Sequence, residues 1–164
     1  MNSRPRISEK IKTVEQLRRI AEALRKRGKK IVFTNGCFDI LHYGHVKYLE
    51  DASRLANILV VAVNSDSSAR KIKGKGRPVN KLFSRIRIVG ALSPVDYVTS
   101  FAQETPLKLI KIIKPDLLVK GGDWKEGQVI GGDFVKKHGG EVIVIGYSKG
   151  YSTTGLLRKI ADGK

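Results

Sequence analysis

The chain of 164 residues is long enough for one domain with a hydrophobic core, and its hydrophobic content of 41% argues against disorder. It lacks a run of roughly 18 apolar residues that would span a membrane, and it lacks the apolar core of a signal peptide. Its single cysteine excludes an internal disulfide. We therefore expect a cytoplasmic protein without a membrane partner. The formal net charge of +17 is concentrated in residues 1–30 and 70–87, which carry +8 each, whereas a nucleic-acid coat would spread it more evenly.

The first 29 residues are predicted to form a basic arm and one additional helix. We expect residues 1–12 to be a loose arm. Thr13 precedes Gln16 by three residues, as in a capping box, and Gly28 is a typical helix terminator, so a helix is predicted between them. Its arginines lie mostly outside the apolar stripe, on a face that we expect to be solvated. Residues 30–164 are predicted to form the rest of a single domain.

Residues 30–45 are predicted to build a phosphate site. Residues 31–33 are an apolar run typical of a strand buried in a parallel sheet, and Asn35-Gly36 interrupts it. An amphipathic helix begins near His42 and His45 and runs to about Ala56. A strand, a glycine turn and a helix N-terminus gather free backbone N–H groups around an anion, to which two imidazoles can add hydrogen bonds. The pattern therefore predicts a phosphorylated ligand.

Residues 58–64 are predicted to form a second buried strand, so that strand, helix and strand make a βαβ unit. The strand leads to Asp66, at the edge where doubly wound sheets bind ligands. Two interpretations of Asp66 are equally favoured. Its carboxylate accepts a hydrogen bond from a ribose or sugar hydroxyl, or it caps the next short helix.

A mobile basic loop is predicted at residues 70–82. Glycines separate Lys73 from Arg77, and a glycine-rich basic loop beside a phosphate site can close over a triphosphate. An ordinary solvated loop is the alternative. Arg85 begins the following helix, and we expect its side chain to reach the same pocket.

Three more strands are predicted, at residues 95–99, 116–120 and 141–145, with helices from Thr105-Pro106 to the residues before Pro115 and near residues 133–138. The fourth strand leads into a Gly-Gly-Asp turn that ends at Asp123. Ser152, Thr153 and Thr154 precede a last helix, as simple caps or as a second anion site. Strands that alternate with helices predict an α/β fold, with a Rossmann-like, doubly wound, five-stranded parallel sheet.

Seven motifs occur in one order. They are Thr34-Asn35-Gly36-Cys37-Phe38-Asp39, His42-Tyr43-Gly44-His45, Val63-Asn64-Ser65-Asp66, Lys73-Gly74, Arg77-Pro78-Val79-Asn80, Lys120-Gly121-Gly122-Asp123-Trp124 and Ser152-Thr153-Thr154. Over about residues 30–162 the chain resembles the nucleotidyltransferase superfamily that contains the cytidylyltransferases. Within that superfamily it is most similar to the adenylyltransferases that make ADP-heptose from D-glycero-D-manno-heptose 1-phosphate and ATP for the lipopolysaccharide core.

The resemblance implies that the sugar phosphate attacks the α-phosphate of ATP and that pyrophosphate leaves, without a covalent enzyme intermediate. His42, His45 and Lys73 are the expected catalytic residues, and Mg²⁺ is expected with the triphosphate. A zinc site of His42, His45 and Cys37 is disfavoured because a fixed set of four ligands is missing. The expected nucleotide-binding and substrate-binding residues are Thr34, Asn35, Gly36, Phe38, Asp39, Gly44, Asn64, Asp66, Arg77, Arg85, Lys120, Gly121, Asp123, Ser152, Thr153 and Thr154.

Other functions remain open at this point. Glycerol 3-phosphate cytidylyltransferase and flavin-nucleotide synthetase are alternatives within the superfamily. A basic nucleic-acid-binding protein is the alternative from another class, but residues 70–87 hold a single aromatic side chain, Phe83, so we expect no specific nucleic acid. Phe83 also stands where the family carries Glu, which removes the expected carboxylate contact from this helix. The sequence shows no kinase domain, so we expect a separate sugar kinase, and a homodimer is left open.

Overall fold

The structure is a computed structural model that describes residues 5–122, 124–146 and 150–163. The described residues form five strands, eight α-helices and a 3₁₀-helix at Glu126–Gln128. The strands are β1 (Ile31–Gly36), β2 (Ile58–Asn64), β3 (Tyr97–Phe101), β4 (Leu117–Gly121) and β5 (Glu141–Ile145). The helices are α1 (Ile7–Lys10), α2 (Val14–Lys26), α3 (Tyr43–Ser53), α4 (Asp66–Lys73), α5 (Leu82–Ala91), α6 (Leu107–Ile113), α7 (Gly132–Lys137) and α8 (Thr153–Ala161).

All five strands run parallel in one sheet, in the order β3-β2-β1-β4-β5. In the central strand β1, Ile31 lies opposite Ile58 of β2, and Val32 lies opposite Leu117 of β4. The apolar residues of β1 and most of those of β2 are buried, as their continuous apolar runs predict. The order reverses at β1, and the carboxyl ends of the strands there open a ligand crevice. The predicted Rossmann-like α/β fold is confirmed.

Strands β3 and β4 begin later than predicted, because the side chain of the aspartate before each strand hydrogen-bonds to the neighbouring strand in place of its backbone carbonyl. Asp96 donates its N–H to the carbonyl of Leu59 at 3.1 Å and accepts the N–H of Leu59 on its carboxylate at 2.8 Å. Asp116 pairs with Ile31 in the same way, with distances of 3.0 and 2.8 Å. A side-chain carboxylate thus takes the place of a backbone carbonyl, and β3 and β4 start one residue after each aspartate.

The prediction of a basic loop at residues 70–82 is wrong in its first part. Helix α4 continues to Lys73, so Lys73 is helical and residues 74–81 form the connection to α5. Ser65 caps α4 by accepting the N–H of Ser68 at 3.2 Å, and Gly74 follows the helix with a φ of 90°. A short helix after Asp66 was expected, but because α4 is mostly polar, its apolar periodicity was too weak to predict that it continues to Lys73.

The described part of the predicted loose arm packs against the edge of the sheet. Ile11 forms a parallel bridge with Val98 of β3. Lys10 Nζ donates to the carbonyls of Leu92 at 3.2 Å and Val95 at 2.7 Å. The expectation of a loose segment is therefore wrong for residues 5–12, because backbone pairing and a lysine tether fix them.

Helix α2 begins and ends as predicted. Thr13 and Gln16 form the expected capping box, with distances of 2.9 and 3.2 Å, and Gly28 follows the helix with a φ of 66°. Leu17 and Ala21 belong to the same buried apolar cluster as residues of β1, β2 and β4, so this helix shares the core of the sheet. Within the described ranges, no helix is long and apolar enough to cross a membrane.

We expect Leu17→Ala to lower the free energy of unfolding by about 2–5 kcal/mol, the usual cost of truncating a buried leucine. Leu17 is 1% exposed, so the truncation leaves a cavity between α2 and the sheet. Chemical denaturation followed by circular dichroism measures the change. Arg19→Ala, on the exposed face of the same helix, is the matched control and should cost less than about 0.5 kcal/mol. Equal, small effects of both substitutions would contradict the shared core.

Candidate active site

A cleft of about 790 Å³ lies at the carboxyl ends of the strands. It is formed by the ends of β1, β2 and β4, the end of α4 and the starts of α3 and α8. Its volume is within the range of roughly 300–1,000 Å³ that is typical of small-molecule sites. The lining includes most of the expected site residues, namely Asn35, Gly36, Phe38, Asp39, His42, Gly44, His45, Asn64, Lys73, Arg77, Lys120, Gly121, Ser152, Thr153 and Thr154.

The two expected catalytic histidines lie together at the start of α3. His42 is the N-cap of the helix, and its ring stacks on that of His45 with the centroids 3.9 Å apart. Gly44 allows this packing, because a Cβ there would lie 3.1 Å from the His42 ring and 3.2 Å from Tyr151 Cβ. A helix start also leaves backbone N–H groups without intrahelical partners. Imidazoles and a helix N-terminus therefore meet at one wall of the cleft.

Both histidines are neutral donors at physiological pH. Burial lowers the pKa of His42, and burial together with the charges of His42 and Lys73 lowers the pKa of His45 to about 4. The Nδ1 atom of each ring is buried and has no hydrogen-bond partner among the described residues. A buried N–H without an acceptor is rare in proteins, so we assign the proton of each ring to Nε2. Each neutral ring then carries one N–H donor, at Nε2, in a residue that lines the cleft.

Two lysines bring positive charge to the cleft from opposite sides of β1. Lys73 is the last residue of α4, which follows β2, and Lys120 lies near the end of β4. Lys120 Nζ donates to the carbonyl of Asn35 at 3.3 Å, and burial lowers the pKa of this lysine to about 8. The side-chain oxygen of Asn35 is buried without a partner in the described part of the chain. This corner of the cleft thus holds polar groups that a ligand would satisfy.

The start of α8 lies beside the start of α3, but two of its three hydroxyls are already used. Ser152 Oγ accepts the N–H of Gly155 at 3.0 Å, which is a helix cap. Thr153 Oγ1 donates to the carbonyl of Ile40 at 3.3 Å and so ties α8 to the loop after β1. The interpretation as simple caps is confirmed for Ser152. All three residues, including Thr154, still line the cleft.

Arg85 and Asp66 were expected to contact the ligand, but neither belongs to the described lining of the cleft. Arg85 is 1% exposed and donates to the carbonyls of Cys37 at 2.6 Å and Asn80 at 2.9 Å and to Asp66 at 2.8 Å. Asp66 also accepts the N–H of Leu82 at 2.8 Å. Its carboxylate therefore holds the start of α5, while Ser65 caps α4. Neither side chain has the predicted ligand contact, because the two bind each other, and the alternative for Asp66, a cap of α4, is not found because Ser65 fills that place.

Asp39 and Arg77 line the cleft but form an ion pair with each other. Arg77 Nε donates to Asp39 at 2.6 Å, and the N–H groups of Val79 and Asn80 donate to the same carboxylate at 2.9 and 2.8 Å. Burial acts to raise the pKa of Asp39, but these hydrogen bonds hold it below its usual value. Arg77 therefore fastens residues 74–81, and its contact with the triphosphate stays a prediction.

Thr34 lies beneath the cleft, and its side chain does not reach the ligand space. Its Oγ1 is 2.6 Å from Tyr48 Oη, and this tyrosine hydroxyl donates to the carbonyl of Val119 at 3.1 Å. Gly121 is needed above the same ring, because a Cβ there would lie 3.1 Å from Tyr48. Asp123, another expected ligand-binding residue, lies outside the described residues.

Sequence reading missed several residues that line the cleft. Most are apolar, and one, Glu104, is a carboxylate that follows the end of β3. The rule that ligands bind at the carboxyl ends of strands, which we applied to Asp66, would have found Glu104 as well. The apolar ones are Ile72, Pro106, Val129 and Ile130.

The cleft has no protein-built metal centre in the part that the structure describes. No three His, Cys, Asp or Glu side chains are grouped there as metal ligands would be. Cys37 is half-buried in the lining of the same cleft, and burial raises the pKa of its thiol, so a zinc-binding thiolate is disfavoured.

We expect Arg85→Ala to lower the free energy of unfolding by about 3 kcal/mol or more, because it leaves Asp66 and two carbonyls without their charged donor. Arg85→Lys should recover little, since one ammonium cannot reach three acceptors in a plane. Urea denaturation measures both. Arg87→Ala is the matched control on the same helix, because this guanidinium lies 5.2 Å from the exposed Phe83 ring. Normal stability with lost ATP binding in Arg85→Ala would restore the expected pocket contact.

Comparison with known proteins identifies relatives over most of the chain. Residues 33–149 match the model of a family described as cytidylyltransferase-like. The chain is 51% identical over 150 residues, 92% of its length, to the "Bifunctional protein HldE" of a Nitratiruptor species and to that of Salmonella paratyphi B. It spans 32% and 31% of these two relatives, about a third of their length.

Two solved structures share the fold. One is the lipopolysaccharide core biosynthesis protein from Thermoplasma volcanium GSS1, which is 31% identical, with a TM-score of 0.63, over 76% of this chain and 100% of that chain. The other is the pantoate-beta-alanine ligase from Francisella tularensis complexed with beta-gamma ATP and beta-alanine. It is 18% identical, with a TM-score of 0.58, over 85% of this chain and 67% of that chain, so it shows the fold alone.

Proposed function

Because the chain belongs to the cytidylyltransferase-like family, we propose that it is an adenylyltransferase that converts D-glycero-D-manno-heptose 1-phosphate and ATP to ADP-heptose and pyrophosphate. The observation that carries this proposal is the stacked pair His42 and His45 at the helix start in the cleft. The relatives at 51% identity and the structural neighbour named for lipopolysaccharide core biosynthesis support the choice of a heptose substrate over other acceptors.

In the proposed reaction, a phosphate oxygen of the sugar 1-phosphate attacks the α-phosphate of ATP and the bond to pyrophosphate breaks. The protein positions the reacting groups and stabilises the negative charge on the phosphates. His42 and His45 donate from Nε2, and the N–H groups at the start of α3 add to them. Lys73 and Lys120 supply positive charge from the two sides.

Mg²⁺ enters this proposal as part of the ATP substrate. The described residues lack a cluster of three metal ligands, so the phosphates and water would hold the ion, as is usual for Mg²⁺. A cytoplasmic location, a separate sugar kinase that supplies the acceptor, and a homodimer also stay predictions. The nucleic-acid alternative has no feature in the cleft that favours it.

We expect His45→Ala to lower kcat about 10²-fold or more, the usual cost of removing one preorganised donor to the transition state. Pyrophosphate release measures the rate. The fold should be retained, because a histidine that lines the cleft contributes little to core packing. His138→Ala is the matched control, because His138 is exposed at the C-cap of α7, with its Nδ1 2.8 Å from the carbonyl of Phe134, and it should keep the wild-type rate. A folded His45→Ala protein with near-normal turnover would contradict the assignment.

The acceptor and the nucleotide are tested by a matrix of sugar phosphates and nucleoside triphosphates. We expect heptose 1-phosphate with ATP to give a kcat/KM at least about 10²-fold above that for glycerol 3-phosphate or flavin mononucleotide. A site that hydrogen-bonds to sugar hydroxyls has unpaired polar groups when an acceptor without those hydroxyls is bound. If glycerol 3-phosphate with CTP, or flavin mononucleotide with ATP, is the better pair, the enzyme class stands and the heptose assignment is wrong.

A further inference from the structure

The turn between β3 and α6, residues 102–106, brings a carboxylate to a cleft that is otherwise mainly cationic. Lys73, Arg77 and Lys120 line the cleft, and the described acids in its lining are Asp39 and Glu104. Asp39 is fully engaged by Arg77 and two backbone N–H groups. The carboxylate of Glu104 lies 3.3 Å from Lys71 Nζ, and its side chain is 79% exposed, so it keeps accepting capacity for a ligand.

A carboxylate is unexpected beside two phosphorylated substrates. It repels their phosphates, whose charges the histidines and lysines attract. An ionised carboxylate accepts hydrogen bonds and donates none, so its natural partners in a ligand are hydroxyl or amino groups. The position of Glu104 at the rim therefore suits an uncharged, hydroxylated part of a substrate.

The turn that carries Glu104 is held by a buried chain of hydrogen bonds. Asn64 Nδ2 donates to Ser68 Oγ at 2.9 Å, and Ser68 Oγ donates to the carbonyl of Gln103 at 3.1 Å. Asn64 and Ser68 are 3% and 2% exposed. Ser65 also donates its N–H to the carbonyl of Phe101 at 2.8 Å. Because β2 and α4 fix the residue before Glu104, the carboxylate starts from a rigid support, as a selective binding site requires.

The location of the turn indicates which substrate it meets. In an in-line transfer, the acceptor and the leaving pyrophosphate lie on opposite sides of the α-phosphate. The adenosine is joined to the α-phosphate at a third position, so the residues that line the cleft must indicate where it lies. The half beyond β4 offers the indole of Trp124 with Val129 and Ile130, an apolar wall suited to a purine base. The half beyond β2 offers Lys73, whose charge acts on His45, and Glu104.

We propose that Glu104 binds hydroxyl groups of the sugar part of the acceptor and so selects polyhydroxylated sugar phosphates. This inference rests on the proposed function. In this arrangement the phosphate of the acceptor lies near Lys73 and the histidines, and its sugar ring extends toward the turn after β3. The adenosine of ATP occupies the other half of the cleft.

The test compares Glu104→Gln with Lys71→Ala. Glu104→Gln keeps the size of the side chain and removes the charge, so we expect the KM for heptose 1-phosphate to rise about 10-fold, as for a lost charge-assisted hydrogen bond, with the KM for ATP changed less than about twofold. Lys71→Ala removes the partner of Glu104 in the Lys71–Glu104 ion pair but keeps the carboxylate, so both KM values should stay within about twofold of the wild type. Steady-state pyrophosphate release gives all four values. Unchanged thermal unfolding checks that both variants are folded.

Each outcome decides either this inference or the proposed function. Three results would overturn the role of Glu104 and leave the adenylyltransferase assignment intact. In Glu104→Gln, the KM for ATP rises as much as the KM for heptose 1-phosphate, or the KM for heptose 1-phosphate does not rise. In Lys71→Ala, the KM for heptose 1-phosphate rises as much as it does in Glu104→Gln. A heptose 1-phosphate analogue that lacks the contacted hydroxyl should lose more affinity for the wild type than for Glu104→Gln, because the amide oxygen of Gln accepts a weaker, uncharged hydrogen bond from that hydroxyl. Absence of pyrophosphate release by the wild type with heptose 1-phosphate and ATP overturns the proposed function itself.

Discussion

The buried guanidinium of Arg85 joins the three segments that support one wall of the cleft. It connects the loop after β1 through Cys37, the connection before α5 through Asn80, and the start of α4 through Asp66. Asn80 in turn donates its N–H to Asp39. An arginine can do this because its N–H groups lie in one rigid plane and stay charged when buried. The histidines follow the loop after β1 directly, so their position depends on this contact.

The residues that support the cleft and those that face it differ in how their polar groups are satisfied. Around Arg85 and Asp39, the buried charges have short hydrogen bonds to one another and to the backbone. A few residues away, the side-chain oxygen of Asn35 and the Nδ1 atoms of His42 and His45 are buried without partners among the described residues. Unpaired buried groups cost free energy, and all three of these residues line the cleft. Stability and binding are therefore carried by neighbouring but different side chains.

Local patterns were sufficient to predict the sheet, the family and the histidine pair. The strands β2 and β5 have the predicted bounds, and the match of residues 33–149 confirms the family resemblance. Arg85 and Asp66 were assigned wrongly because a motif shows which residues occur together, and does not show whether a polar side chain faces a ligand or another side chain. Glu104 follows the carboxyl end of β3, so the rule that pointed to Asp66 also points to Glu104, but the sequence does not show that Asn64 and Ser68 hold its turn.

The net charge of +17 is a poor guide to function because it does not show which of the 32 cationic side chains are paired within the protein and which are available to a ligand. On α2, Arg18 pairs with Glu15 and Glu22, so this basic helix carries its own counter-charges, as the prediction of a solvated face implied. In the second basic segment, Arg77 and Arg85 are paired with aspartates. Binding to a nucleic-acid backbone requires cations that are available along one face. Here the positive charge at the cleft comes mainly from single lysines set against a helix start, an arrangement that fits the compact charge of a phosphate better than an extended polymer.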